Sequence, residues 1–267
     1  MTYIPEFDQY VDSTLGKARF GSLSEYELGK IGLLSKDGES RVVTLPMQQR
    51  QQTTQSQIHI KINADGTATG NESSTYQGFP DLAMRFRLAD IGQNYKFKVV
   101  ESVLTSKFQS GSGEYQHSDL QDLSKPLTTT MNYTLTDVFE PDNEGTLKLP
   151  NGANMYGIDA YILSDFDRSK LNNYAFLPLK ANLDTEWQYE LPENMTIVQM
   201  PKNVDFSNHV GHYQAQYQAT GNKIVVKRSY ENLADTAYLS AEFYPEMQAL
   251  NKKIKSDFNK MVTYKMK

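Results

Sequence analysis

The fold class is decided by the stretch Ser56-Gln57-Ile58-His59-Ile60-Lys61-Ile62 and by the Ala64-Asp65-Gly66 that follows it. Three isoleucines alternate with His59 and Lys61, and a period of two is typical of a strand with one buried face. An Asp-Gly pair after such a segment is a hairpin turn signal. The polar alternation continues after the turn at Thr67, Thr69, Ser73 and Thr75. The stretch therefore predicts a β-hairpin with one face open to solvent.

The strand pattern recurs along most of the chain. Further strands are predicted at 31–34, 41–46, 95–104, 127–139, 146–150, 187–191, 195–200, 213–217, 224–226 and 262–266. Apolar residues follow helical spacing at residues 80–91 and again from Phe243 to Phe258. The glutamine-rich residues 47–55 show no periodicity and predict a polar loop. We therefore predict a mainly β protein of antiparallel β-sandwich layers, with one internal helix and one C-terminal helix.

Composition excludes several classes of protein. The 267 residues carry a formal net charge of −5, so the basic surface of a nucleic-acid-binding protein is missing. The absence of Cys excludes disulfides, thiolate metal sites and a Cys nucleophile within these residues. No apolar run reaches the roughly 20 residues that span a bilayer. The first residues also lack the basic and apolar parts of a signal peptide. We expect no nucleic-acid partner and no membrane span.

The histidines and acidic clusters do not predict a metal or cofactor site. His209 and His212 lie close to Asp205 in the sequence, but no third His or Cys is near them. Other polar candidates are His59, His117, the cluster Asp142, Asn143 and Glu144, and the pair Asp165 and Asp167. The acidic groups carry oxygen ligands of the kind calcium prefers, but the spacing of an EF-hand loop is absent. We expect no metal and no cofactor.

One aspartate has a possible chemical role, at the end of the stretch Tyr10-Val11-Asp12-Ser13-Thr14. Aromatic and β-branched residues before Asp12 indicate a short strand that ends there. An aspartate followed by hydroxyl residues commonly accepts hydrogen bonds from the next backbone N–H groups and so closes a strand. From these residues alone, the closing role is the ordinary interpretation.

The run from Tyr3 to Lys30 resembles the last strand of a bacterial transglutaminase-like domain of the papain-type Cys-His-Asp superfamily. The resemblance implies that Asp12 is the third member of a catalytic triad, which orients a His and stabilises its cation. In that family the His and the nucleophilic Cys lie upstream. This chain has no Cys and no His before His59. The resemblance therefore implies either the C-terminal part of a longer protein or a degenerate relative, without catalysis of its own.

The resemblance extends to the β-rich region of unknown function that follows the catalytic domain in such proteins. The residues that carry it are Asp65-Gly66, Gly78 with Arg85, Leu191-Pro192, and Pro201, Val204, Gly211 and Tyr213. Three segments follow as the expected domains. Residues 1–30 are a remnant of the transglutaminase-like core with its connection, 31–124 a first β-rich domain or half-sandwich, and 125–267 a second β-rich domain with the C-terminal helix.

The expected function is that of a non-catalytic accessory region, which packs on the catalytic core or binds a partner such as an envelope protein. The parent would be a transglutaminase-like acyltransferase or a cysteine peptidase, and it would be periplasmic or envelope-bound if it carries a signal peptide. The alternative is a free-standing glycan- or protein-binding β-sandwich module of the bacterial envelope. Its binding platform would use Tyr115, Tyr133, Tyr189, Tyr213 and Tyr217, unless these tyrosines are covered within the sheets. An unrelated enzyme would need a cleft that gathers His209, His212 and carboxylates.

Overall fold

An eight-stranded β-sheet dominates the computed structural model, which describes residues 1–24, 27–46, 52–91, 98–159, 174–176, 181–234 and 238–267. In chain order the strands are β1 (Thr2–Ile4), β2 (Gln9–Val11), β3 (Ile31–Lys36), β4 (Glu39–Thr44), β5 (Gln52–Ile62), β6 (Ala68–Gln77), β7 (Ser110–His117), β8 (Leu127–Thr136), β9 (Glu144–Lys148), β10 (Tyr174–Phe176), β11 (Ala181–Glu190), β12 (Met195–Gln199), β13 (Val204–Ser207), β14 (Gly211–Thr220), β15 (Lys223–Asn232), β16 (Tyr238–Ser240) and β17 (Met261–Met266). The large sheet has the order β13-β14-β15-β11-β5-β6-β8-β7. The mainly β class is confirmed.

The hairpin of β5 and β6 forms as the alternating pattern predicts. Ile58, Ile60 and Ile62 are buried on one face, whereas His59 and Lys61 lie on the other. The turn requires a glycine, since Gly66 has φ +83° and a Cβ there would approach the Phe139 carbonyl oxygen to 2.5 Å. β5 begins at Gln52, so the predicted loop at 47–55 is wrong for residues 52–55. Pairing with β11 and β6 extends the strand through these polar residues.

Six of the seven strand pairings in this sheet are antiparallel, and the seventh, between β11 and β5 at the centre of the sheet, is parallel. The sheet is therefore mixed, and it contains strands from both sides of the boundary expected at residue 124. That boundary remains a prediction. Three further helices and a three-stranded sheet, in the order β12-β17-β9, contribute side chains to one buried core with the large sheet. This second layer covers one face of the large sheet, and the other face carries exposed polar side chains.

The helices are α1 (Phe79–Ala89), α2 (Val99–Ser106) and α3 (Tyr244–Phe258). The internal helix expected at 80–91 and the C-terminal helix are confirmed as α1 and α3. The strand expected at 95–104 is wrong over its described residues 98–104, because α2 occupies them as a second internal helix. Its buried residues Val99, Val100, Val103 and Leu104 form one helical face, but so short an apolar run fits either structure in sequence. None of the helices in the described ranges is both long and apolar enough to cross a bilayer.

The end of α2 carries an aromatic residue in a conformation that favours glycine. Phe108 has φ +58°, and its side chain is 100% exposed. The Phe108 N–H donates to the Thr105 carbonyl at 3.0 Å, and the Gln109 N–H donates to the Leu104 carbonyl at 3.0 Å. These two bonds are the Schellman pattern, in which the left-handed residue is most often Gly.

Replacing Phe108 with Gly is therefore expected to stabilise the chain by about 1 kcal/mol, because Gly adopts φ > 0 without strain. Urea unfolding measures the change. The matched control is Phe86→Gly, in the body of α1, which is expected to lose about 1 kcal/mol through helix propensity. Destabilisation by Phe108→Gly would show that the Phe108 side chain makes a stabilising contact in solution.

Candidate functional site

Asp12 follows the last residue of β2 and is held by a local turn. Its Oδ1 accepts hydrogen bonds from the Thr14 hydroxyl at 2.7 Å and from the Thr14 backbone N–H at 2.9 Å. These two bonds lower the pKa of Asp12, and the bond from the Thr14 hydroxyl has the larger effect. The group is therefore a carboxylate at neutral pH. The strand-closing geometry is thus present. Its role as a third triad member stays a prediction, since no Cys exists in the chain.

The N-terminal part of the chain is rich in exposed apolar side chains, and we call its described residues, 1–24 and 27–44, the N-terminal surface. Its large exposed apolar side chains are Met1, Phe7, Phe20, Ile31, Leu33 and Val42. Only five other large apolar side chains in the described residues are comparably exposed, and they are scattered between Phe86 and Met261. Clustered apolar exposure of this kind marks interaction sites, whereas single exposed residues are ordinary.

The hairpin of β3 and β4 carries much of that surface. Its register places Leu33 opposite Val42 and Ile31 opposite Thr44, on one side of the hairpin. Ile31, Leu33 and Val42 are 77%, 70% and 71% exposed. Within the described ranges, β3 and β4 pair only with each other, as do β1 and β2. A two-stranded sheet is marginally stable alone in water, so contacts beyond the strand pairing must stabilise these hairpins.

The N-terminal surface is anchored to the rest of the molecule beside α1. Arg19 donates from Nε to the Leu123 carbonyl and from Nη2 to the Ser124 carbonyl, each at 2.9 Å. The Lys17 ammonium lies 6.0 Å from the centre of the Phe86 ring on α1. The attachment lies on the helical side of the large sheet, away from its open polar face.

The candidate histidines do not converge on a common site. His209 Nδ1 lies 3.0 Å from Glu246 Oε1, whereas His212 Nε2 lies 2.8 Å from Asp205 Oδ1. His59 is exposed on the open face of β5, and His117 Nδ1 is 2.8 Å from the Ser118 carbonyl oxygen. No group of three or more potential His, Asp or Glu metal ligands occurs in the part of the chain that the structure describes.

Of the acidic residues considered as calcium ligands, Glu144 and its neighbour Asn143 make contacts with β17. Glu144 pairs with Lys265 at 3.3 Å, and the Asn143 carbonyl accepts a bond from the Met266 N–H at 2.7 Å. These contacts tie the loop before β9 to β17. Asp165 and Asp167 lie outside the described residues.

Four of the five tyrosines considered for a binding platform point into the core. Tyr133, Tyr189, Tyr213 and Tyr217 are buried, and Tyr115 is half-buried. Their alternation along the strands therefore indicates the buried face of the sheet, and these four give no exposed aromatic platform.

The most polar buried cluster joins β14, β15 and α3 around Asp257. Its Oδ2 accepts hydrogen bonds from Arg228 Nε at 2.9 Å and from the Tyr213 hydroxyl at 2.7 Å. Its Oδ1 accepts from the Tyr217 hydroxyl at 2.9 Å and lies 2.9 Å from the Lys260 ammonium. Burial alone would raise the pKa of Asp257, but the Arg228 charge and these hydrogen bonds outweigh burial and lower it.

Arg228 is also packed between aromatic rings. Its guanidinium carbon lies 4.9 Å from the centre of the Trp187 ring and 4.3 Å from that of Phe258. Both members of the Arg228–Asp257 pair are almost fully enclosed, with side-chain exposures of 5% and 0%. Because the pair is enclosed and joins α3 to β15, the cluster fastens α3 to the large sheet.

A second buried carboxyl, Glu72, lies on the core face of β6. Its Oε2 accepts a hydrogen bond from the Ala153 N–H at 3.1 Å, and it lies near the ion pair of Lys107 with Asp159, which measures 2.7 Å. Burial raises the pKa of Glu72 to about 8, although the Lys107 charge opposes the rise. Glu72 is therefore protonated in the folded protein at neutral pH.

The raised pKa predicts a pH-dependent loss of stability. An unfolded Glu ionises near its ordinary pKa of about 4.3, whereas folded Glu72 ionises near 8. The favourable contribution of protonated Glu72 to the free energy of unfolding is thus fully present below the unfolded pKa, and it is lost as pH rises to about 8. Urea unfolding at pH 5 and pH 8 should show Glu72→Gln gaining stability relative to the wild type at the higher pH. An equal difference at both pH values would contradict the raised pKa.

One family comparison bears on the C-terminal part of the chain. Residues 163–264 match the DUF3858 family model. That family is described as a domain of unknown function with a solved structure. Among the described residues, the match includes β11 to β15 and α3, and so about half of the large sheet together with the Asp257 cluster. The chain matches no curated protein and no solved structure. The expectation of a β-rich domain of unknown function is confirmed for this part.

Proposed function

We propose that the chain is the non-catalytic accessory region of a transglutaminase-like protein, and that its N-terminal surface packs on the catalytic core. The observation that carries the proposal is the concentration of exposed apolar side chains on the N-terminal surface, on two hairpins that have no further strand partner among the described residues. A large exposed apolar patch is a site of association. The sequence resemblance supplies the nature of the partner.

The position of Asp12 supports the same arrangement. It follows β2 directly, at the edge of a two-stranded sheet whose backbone groups remain available to another strand. A core that extends this sheet would bring its His to the Asp12 carboxylate, which the Thr14 bonds already keep ionised. The core would also supply the Cys nucleophile. If the parent carries a signal peptide, both parts work in the periplasm or the envelope.

The catalytic part of the proposal is tested by an acyl-transfer assay. The purified chain is incubated with a glutamine-containing protein and a fluorescent primary amine, with and without a thiol reductant. We expect no amine incorporation and no cleavage of the protein substrate, because the thiolate that such chemistry needs is missing. Turnover that rises in proportion to the chain concentration, and persists through further purification, would disprove the proposal.

The docking part is tested by hydrogen–deuterium exchange. The amides of β3 and β4 are expected to exchange within seconds in the chain alone, whereas those of β5 and β6 are protected by the central sheet. Association with the core should slow exchange in β3 and β4. Leu33→Ser with Val42→Ser should abolish that slowing, and Val198→Ser, at an exposed apolar position on β12, should leave it intact. Strong protection of β3 and β4 in the chain alone would contradict an unpartnered surface.

A further inference from the structure

The open face of the large sheet forms a long groove, away from the N-terminal surface. A groove of about 860 Å³ is lined by residues of β7, β8, β6, β5, β11 and β15, six neighbouring strands. A second groove of about 680 Å³ on the same face is lined by residues of β5, β6, β11, β14 and β15. One groove can touch six strands only if the sheet curves around it, so this face is concave. We call it the concave face.

Amide and hydroxyl groups cover the concave face in rows that run across the strands. The strand register aligns one row as Gln218, Val225, Gln188, His59, Asn71, Asn132 and Glu114. The next row is Gln216, Lys227, Glu186, Gln57, Ser73, Thr130 and Gln116. Within the first row, Asn71 Nδ2 donates to Asn132 Oδ1 at 2.6 Å. Seven strands about 4.8 Å apart give such a row a length of roughly 29 Å.

The charges of the larger groove cancel. Its lining contains two lysines and two glutamates, namely Lys61, Lys223, Glu114 and Glu190. The Lys61 ammonium lies 3.4 Å from Glu190, and the Lys227 ammonium in the second groove lies 3.0 Å from Glu186. A surface without excess charge does not attract a polyanion such as a nucleic acid. The larger groove therefore offers a ligand hydrogen bonds and no net charge.

Few apolar side chains face the larger groove. Ile60, Tyr133, Tyr189 and Ile224 border it, but their side chains are buried in the core on the opposite face. Val225 is the one aliphatic side chain that its strand position places on the concave side of the larger groove. A protein interface or an amphipathic helix is typically bound through a cluster of apolar side chains, and the larger groove offers Val225 alone.

We propose that the concave face binds a neutral polysaccharide chain. Such a polymer presents hydroxyl groups that both donate and accept hydrogen bonds, and side-chain amides offer both functions as well. A row of about 29 Å accommodates several sugar units in line. Because no exposed aromatic ring stacks on the sugar faces, binding is weak and rests on hydrogen bonds. The site is independent of the proposed docking through residues 1–44.

Affinity electrophoresis in native gels tests this inference, with hydroxyethylcellulose, galactomannan or laminarin cast into the gel. We expect the full chain to be retarded by at least one of these neutral polymers. Asn71→Ala combined with Gln188→Ala should weaken that retardation at least fivefold, since both side chains are exposed and central to one row. Gln248→Ala, exposed on α3, is the matched control and should bind as the wild type does.

Three results would overturn the inference. They are no retardation by any of the three polymers, equal retardation of the double variant and the wild type, or loss of binding in 0.5 M NaCl, which would indicate an ionic contact. Exchange protection of β3 and β4 by the catalytic core is measured separately. Failure of polysaccharide binding therefore leaves the docking proposal unchanged.

Discussion

Replacing Asp257 with Ala is expected to destabilise the chain by about 3–5 kcal/mol, because it leaves the buried Arg228 guanidinium without its counter-charge. Two tyrosine hydroxyls and the Lys260 ammonium lose the same acceptor. The effect should fall on α3 and on the strands β14 and β15, which the cluster joins. Urea unfolding, followed by near-ultraviolet circular dichroism of Trp187, reports the loss directly.

The matched control for Asp257→Ala is Glu190→Ala, which breaks the exposed ion pair with Lys61. Exposed pairs contribute about 0–1 kcal/mol, so this variant should unfold almost as the wild type does. Tyr213→Phe removes one hydrogen bond and keeps both charges, and an intermediate loss is expected for it. If Asp257→Ala were as mild as the Glu190 variant, the cluster would not fasten α3 to the sheet.

Replacing Arg85 with Met should have an effect of similar size at the other end of the sheet. Arg85 is fully buried on α1 and pairs with Asp81 at 2.9 Å. Its remaining N–H groups donate to the backbone carbonyls of Asp119, Leu120 and Lys125 at 3.3, 2.8 and 2.9 Å. The substitution keeps much of the apolar volume, but it leaves a buried carboxylate and several carbonyl groups without that donor. We expect a loss of about 3–5 kcal/mol.

Arg87→Met provides the control on the same helix. Arg87 is exposed and donates a hydrogen bond to the Met155 carbonyl oxygen at 3.3 Å. Its replacement should therefore change stability by about 0.5 kcal/mol or less. Thermal unfolding and proteolysis of the loop at 119–125 measure both effects. Equal behaviour of the Arg85 and Arg87 variants would contradict the role of Arg85 in holding that loop.

The sequence correctly predicts the elements in which apolar residues follow a single period, either two or 3.6 residues, over a long segment. The alternating isoleucines of β5 and the helical spacing in α1 and α3 each have one buried face, and the structure confirms all three. The short apolar run that becomes α2 fits both periods, so its type depends on the packing of Val100 and Leu104 against the core. The polar start of β5 at Gln52 depends on pairing with β11, a long-range contact that local propensity does not contain.

The sequence analysis does not predict the buried charged residues, although the alternation of inward and outward positions in two strands gives a signal for Arg228 and Glu72. Arg228 occupies an inward position in the series Ile224, Val226, Arg228 and Tyr230, and Glu72 does so in β6. A charged residue at an inward position of a clear strand predicts a buried, paired charge. The identity of the partner is not predictable this way, since Asp257 lies 29 residues further along the chain.

For the N-terminal surface, the sequence pattern and the exposed side chains are two separate observations. The strand-end pattern around Asp12 indicates a piece of a larger active site. The exposed side chains of Ile31, Leu33 and Val42 mark a candidate site of association. Neither observation depends on the other, and both favour a core that lies against residues 1–44.

The most direct test of this account is to determine the coding sequence upstream of residue 1 in the source genome. We predict an in-frame segment that encodes a transglutaminase-like core, with a nucleophilic Cys and, shortly before residue 1, a His able to meet Asp12. An in-frame stop codon directly upstream, with no gene for such a core beside it, would contradict the account and leave Asp12 as the residue that closes β2.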